Sequence, residues 1–225
     1  MQLLKNISIF AKFLRSVMKT PKNAIEVPEG LHKLLLHACC APCSSAIVEW
    51  LLQHDIVPTI FYFNPNIYPL DEYLIRKNES QRQARSLGIS WIDGDYNHSQ
   101  WLQFISGLES EPERGRRCEQ CFRYRLLAAS QAAAQTNHSW FATTLASSRW
   151  KNLEQINAAG LWAEQQTQGT RFWAQNWRKG GLQQRRSELL HEYGFYNQQY
   201  CGCEFSFRQT NNKMPAQAGT ECSLT

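Results

Sequence analysis

Seven of the eight cysteines in this 225-residue chain fall into three bunches, Cys39/Cys40/Cys43, Cys118/Cys121 and Cys201/Cys203, leaving Cys222 alone near the end. Bunched thiols in a chain of this length favour metal or redox chemistry in a reducing compartment over a secreted disulfide framework. In the stretch HACCAPCSS (37–45) the first bunch follows the apolar run Leu34-Leu35-Leu36 and precedes a helical pattern. Cys118-Glu119-Gln120-Cys121 opens a second helix, where free amides and the helix dipole stabilise thiolates and anionic clusters. Cys39, Cys40, Cys118 and Cys121 together make the four thiolates that a four-iron four-sulfur (4Fe-4S) cluster uses. The side chains of an adjacent Cys-Cys pair are expected to diverge, which suits two irons of a cluster better than one small tetrahedral ion. A zinc knot and inert buried thiols are the competing readings of these residues.

Cys201-Gly202-Cys203 is a different object. Glycine relieves the backbone between two cysteines that can then close a small, strained disulfide, and strain makes such a bond easy to reduce. The pair therefore suits electron transfer; two further metal ligands, or a turn with two bystander thiols, are the alternatives.

The elements that must position these residues alternate. Strands are expected at 34–38, 57–63, 89–93, 140–144 and 171–174, and helices at 44–52, 70–87 (closed by Gly88), 99–108, 119–134 and 151–166. Ser44 or Ser45 is read as the cap of the first helix. Strand–helix alternation implies crossovers and a doubly wound, mostly parallel sheet, with a helical part at the carboxyl end. Ligands of such sheets bind beyond the carboxyl ends of the strands. That rule puts Cys39, Cys40 and Cys43 at the ligand edge, beside 64–69 and 143–148.

With 43% apolar residues the chain can build one sizeable core, and a single α/β domain is expected over 31–208. Residues 1–30 read as a basic leader, partly disordered, without an apolar run long enough for a membrane span, and residues 209–225 as a disordered polar tail. The expected location is the cytoplasm, with no membrane partner. A formal charge of +5 points toward a polyanionic partner.

Taken in order, LLHACCAPCS, FYFNPNIYPLDEY, RCEQCFRYRL, FATTLASSRWKNLEQINAAG and GGLQQRRSELLHEYGFYNQQYCGC resemble the cobalamin-independent epoxyqueuosine reductases, the QueH family, over roughly residues 31–207. The resemblance implies a sheet of the adenine-nucleotide α-hydrolase (HUP-like) type and two-electron reduction of the epoxide of epoxyqueuosine in tRNA to queuosine. It places the 4Fe-4S ligands on Cys39, Cys40, Cys118 and Cys121 and a redox-active disulfide on Cys201 and Cys203. Some members hold a second metal with the residue three after the second cysteine of the pair; that position is Cys43, where some relatives carry aspartate, so Cys43 is a candidate ligand for a second, mononuclear iron. The partners implied are tRNA carrying epoxyqueuosine at the wobble position and an electron donor that the sequence does not name.

Epoxide opening needs an acid, for which Tyr62, Tyr68, Asp71, Glu72 and His37 lie near strand ends; His37, inside an apolar run, also reads as a packed residue. Two basic stretches fit an RNA: Arg114, Arg116, Arg117, Arg123 and Arg125, and then Arg171, Trp173, Trp177, Arg178, Lys179, Arg185 and Arg186. Solvated helix faces with packed tryptophans are the plainer reading of the second. Ser148, Lys151 and Asn152 are read as contacts to ribose or phosphate, or, for Ser148, as a helix cap. An ATP-dependent tRNA-thiolating enzyme is disfavoured because the first turn lacks a glycine-rich pyrophosphate loop. A zinc-stabilised RNA-binding module is the remaining alternative.

Overall fold

The computed structural model describes residues 25–211. The elements in chain order are β1 (Lys33–His37), α1 (Ala41–Gln53), β2 (Val57–Tyr62), α2 (Leu70–Leu87), β3 (Trp91–Asp93), α3 (His98–Phe104), α4 (Arg116–Gln135), β4 (Trp140–Thr143), a 3-10 turn (Thr144–Ser147), α5 (Leu153–Gln166), β5 (Arg171–Phe172), α6 (Leu182–Glu192) and α7 (Glu204–Asn211). The leader up to residue 24 and the tail from 212, Cys222 included, lie outside the described residues; α7 carries the helical carboxyl part past residue 208.

All five strands run parallel in the order β3-β2-β1-β4-β5, the doubly wound arrangement expected from the alternation. Leu34, Leu35 and Leu36 are fully buried, as a central parallel strand covered on both faces requires. Helix α1 packs on α2 and α6, whereas α4 packs on α5 and α3, so two helical layers enclose the sheet. Gly160 lets α5 lie directly on β5: a Cβ there would lie 2.2 Å from the Phe172 ring. The strand order reverses between β1 and β4, which opens a crevice at their carboxyl ends.

The first helix begins earlier than its serines suggest. Cys40 is the extended residue before α1, and Pro42 lies in the first turn, where its missing N–H costs nothing. Ser44 is already inside the helix, its hydroxyl donating back to the carbonyls of Cys40 (3.1 Å) and Ala41 (3.2 Å). Ser44 and Ser45 are therefore not caps, and the whole turn from Ala38 to Ala41 is left to the cysteines.

Candidate functional site

The strand-to-helix turn collects three thiols. The ligand atoms of Cys39, Cys40 and Cys43 all lie within 4.8 Å of one another, and all three residues are buried. The Cys39 and Cys40 sulfurs stand 3.8 Å apart, so the expected divergence of the adjacent pair does not occur. The extended backbone of Cys40 at the start of α1 turns its side chain toward its neighbour. Thr144, opposite on the β4 side, fixes Cys39 from two directions: its Oγ1 accepts the Cys39 N–H at 3.3 Å and donates to Cys39 Sγ at 3.7 Å. Gln198, from the carboxyl segment, donates to Cys43 Sγ at 3.5 Å.

Cys118 and Cys121 occupy the first two turns of α4, whose first residue is Arg116. They share one cleft with Cys201 and Cys203, so the second and third bunches, far apart in sequence, face each other. Cys203 precedes α7 and its carbonyl accepts the Phe207 N–H at 3.0 Å, starting that helix. The loop carrying Cys201 is pinned by its backbone. Gly202 O accepts the Tyr68 N–H at 2.8 Å, and the Tyr200 hydroxyl donates to the Tyr68 carbonyl. Arg76 of α2, itself paired with Glu72 at 2.6 Å, donates to the carbonyls of Tyr200 (3.4 Å) and Cys201 (3.5 Å). Gly202 has φ of +125°, and a Cβ there would meet Arg76 Nη1 at 3.1 Å and Ile67 Cγ1 at 3.2 Å.

Four polar atoms on the wall of this cleft are buried without a protein partner: Trp101 Nε1, Arg117 Nη2, Arg125 Nε and Asn66 Oδ1. Three are N–H donors, two of them on buried guanidinium groups with no carboxylate within ion-pairing distance among the described residues. Arg117 is held by the carbonyls of Leu108, Glu109 and Glu111, and Arg125 by Asn64, whose amide donates to the Ala38 carbonyl at 2.9 Å. Buried Lys151 also lacks a carboxylate partner; burial weakens its charge, but Cys201, Cys39 and Cys43 more than restore it, so its pKa rises. The charge of Arg125 likewise acts on both Cys39 and Cys121. Burial, then Cys201, pushes Cys118 up to about 12, and the same two causes push Cys203 up to about 11. Buried cations, orphaned N–H groups and thiols that resist ionisation alone are what a thiolate-ligated anionic metal cluster would satisfy together.

The acid candidates are largely committed elsewhere. His37 is lowered to about 3 by burial and by Arg125; its Nε2–H donates to the Phe63 carbonyl (3.0 Å) and its Nδ1 accepts from Thr143 Oγ1 (2.8 Å), so it is a neutral packed residue. Tyr62 donates to the Tyr73 carbonyl, and burial raises its pKa well above the ordinary value. Glu72 holds Arg76 and Tyr196. Asp71 and Tyr68 are exposed, and Tyr68 lies against the Cys201–Cys203 loop.

The second basic stretch is structural over most of its length. Trp173 and Trp177 are buried with Trp50, Arg185 is paired with Glu49, Glu188 and Glu192, and Arg178 donates to the carbonyls of Ser148 and Lys151. Asn152, not Ser148, caps α5, accepting the N–H groups of Glu154 and Gln155. Sequence reasoning passed over Arg76 and Trp101, whereas Asn64 and Asn66 belong to the 64–69 segment it placed at the ligand edge. Arg76 reaches the site through Tyr200 and Cys201, 124 and 125 residues away, and Trp101 packs beside Cys121 and Cys203.

A family model described as epoxyqueuosine reductase QueH matches residues 34–209. Similar curated proteins, each called epoxyqueuosine reductase QueH, come from Histophilus somni (46% identical over 187 residues, 83% of this chain and 77% of that protein) and Acinetobacter baylyi (44% over 207 residues, 92% and 95%). A third, from Thermotoga maritima, is 33% identical over 183 residues, covering 80% of this chain and 93% of its own.

Proposed function

The chain belongs to the epoxyqueuosine reductase QueH family of oxidoreductases, and on that premise we propose that it reduces the epoxide of epoxyqueuosine in tRNA to the alkene of queuosine, with Cys201 and Cys203 as a redox pair. The observation that carries this reading is the meeting of Cys118/Cys121 with Cys201/Cys203 in one cleft walled by buried, unpaired donors. Cys39, Cys40, Cys118 and Cys121 would hold a 4Fe-4S cluster, and Cys43 a second, mononuclear iron. When bound, such a cluster supplies single electrons and a Lewis acid for the epoxide oxygen.

The protein's own residues account for the rest of the balance. Converting an epoxide to an alkene and water consumes two electrons and two protons. Oxidation of the two thiols to one disulfide releases the same. Cys203, held protonated by burial, keeps its share of the protons until the pair is oxidised. An external donor must then reduce the disulfide, and the half-buried Cys201 is the member that solvent reaches. Trp101 and Phe122 make one wall of the cleft apolar and limit simple hydrolysis. Without a membrane-crossing helix among the described residues and with a tRNA substrate, the proposed place of work is the cytoplasm.

The mutual approach of Cys39, Cys40 and Cys43 supports a second reading, a single zinc ion on these three. One experiment separates the two. Anaerobic reconstitution with iron and sulfide is followed by a single turnover on tRNA carrying epoxyqueuosine with dithionite, comparing wild type with Cys118→Ala and Cys201→Ala. Broad visible absorption and queuosine formation by wild type, both lost in Cys118→Ala, are expected; Cys201→Ala should keep its colour and lose turnover unless dithionite replaces the dithiol. A colourless zinc protein that leaves the epoxide intact would sink the reductase reading.

A further inference from the structure

The loop from Ser148 to Lys151 crosses from the site to the surface. Lys151 is buried among the cysteines, whereas Trp150, its neighbour, is 38% exposed, and Arg149 is exposed beside it. Arg114, across the gap, donates from Nε to the Trp150 carbonyl (2.9 Å) and from Nη2 to the Arg149 carbonyl (3.3 Å). Its own backbone sits at φ of +67°, a strained conformation for arginine, and is held there by Gln155, which donates to the Arg114 carbonyl at 2.7 Å. The Arg114 N–H in turn points at Cys118 Sγ, 3.3 Å away, so the clamp ties the Trp150 loop directly to the cluster side of the cleft.

The guanidinium groups around this indole make no ion pairs among the described residues: no carboxylate comes within ion-pairing distance of Arg114, Arg116 or Arg149, although Arg82, Arg123 and Arg185 on other surfaces are all paired. The nearby Glu111 spends its carboxylate on the Arg116 N–H instead. The Arg149 guanidinium lies over the Trp150 ring, 5.7 Å from its centroid, so cation and indole form one exposed unit. Bases of a single-stranded RNA loop stack on such faces while arginines take the flanking phosphates.

We propose that Trp150 and Arg149, positioned by Arg114 and assisted by Arg116, form a stacking platform for an unpaired base next to the nucleotide that enters the cleft. The proposal rests on the tRNA-reductase reading above and names the part of the surface that takes the loop. It also moves the RNA contact from the second basic stretch, where the tryptophans are buried, to a segment that contributes one arginine and one tryptophan.

The test is fluorescence anisotropy of the full chain with a labelled, unmodified RNA hairpin carrying an anticodon-type loop, against a blunt RNA duplex of the same length. Trp150→Ala should weaken hairpin binding by at least about five-fold, as loss of one stacked base does, while Trp150→Phe retains most of it and the duplex is unaffected. Arg149→Gln should lower the slope of log affinity against log salt by roughly 0.7 to 0.9. Both side chains are exposed, so the thermal midpoint of each variant should match wild type. Wild-type affinity and salt slope in Trp150→Ala and Arg149→Gln would overturn the platform and leave the family reading intact, with an acidic protein as the better partner for these arginines. Equal losses on hairpin and duplex would overturn base stacking. Failure of wild type to bind either RNA would overturn the platform and the tRNA substrate together.

Discussion

The two halves of the site are held in opposite ways. Cys39, Cys40 and Cys43 follow the central strand of the sheet: β1 is paired on both sides, in register with β2 through His37 and Phe61 and with β4 through His37 and Thr143. The turn that follows is tied at Ala38, whose N–H donates to the Phe61 carbonyl at 3.0 Å, and at the Cys39 sulfur itself. Cys201 and Cys203 stand on a loop between α6 and α7 that is tied at its carbonyls by Arg76 and Tyr68, while Cys201 remains half-buried and only Cys203 has a side-chain partner, Ser206 at 3.4 Å. Metal ligands need fixed sulfurs, and a pair that alternates between two thiols and a disulfide needs a fixed backbone with sulfurs free to close.

Arg76 offers the sharpest way to break that contrast. Its replacement by methionine leaves the buried Glu72 carboxylate with the Tyr196 hydroxyl but no cation and releases the carbonyls of Tyr200 and Cys201. A stability loss of about 3–5 kcal/mol in urea unfolding is expected. In the fraction that stays folded, iron bound at the first half should persist while exchange of the Cys201/Cys203 pair with glutathione changes. Equal loss of iron would mean that the two halves are one mechanical unit.

The first half was the more legible of the two for a physical reason. A buried parallel strand announces itself as a continuous apolar run, and the rule that ligands lie at the carboxyl edge then locates Cys39 and Thr144 without any knowledge of packing. The place of Cys118 and Cys121 at a helix start was also legible from the pattern. The facing of Cys121 by Cys203 and the anchoring of Cys201 by Arg76 depend on contacts 82 and 125 residues apart in the chain. Local periodicity carries no trace of such contacts. At Trp173 and Trp177 composition left a nucleic-acid surface and packed tryptophans both open, and the two rings pack with each other and with Trp50 of α1. Composition misled at Ser44, a stronger capping signal than the cysteine that begins the helix.

Gly202 tests the second half alone. An alanine there must hold φ near +125° and place its Cβ against Arg76 and Ile67, at an expected cost of about 1–3 kcal/mol. Because Gly202 touches neither Cys39 nor Thr144, Gly202→Ala should shift the thiol–disulfide equilibrium of the pair in a glutathione buffer and leave the metal and sulfide content unchanged. A loss of bound iron in this variant would contradict the separation drawn above.

Thr144 is the matching probe of the first half, with the smallest effect. Valine keeps the volume and β-branching but removes both the acceptor for the Cys39 N–H and the donor to Cys39 Sγ. The residue is fully buried, so no water replaces the lost partner, and a penalty on the order of 1 kcal/mol is expected. Serine restores the hydroxyl and should recover most of it. The diagnostic is the direction of the secondary effect. Loss of an O–H···S contact changes the electron density on one sulfur, so Thr144→Val should shift the visible absorption of the reconstituted protein while the Cys201/Cys203 equilibrium stays at its wild-type value. If the absorption is unmoved and the dithiol equilibrium shifts instead, then Lys151, whose charge reaches Cys39, Cys43 and Cys201 alike, couples the halves more strongly than the backbone separates them.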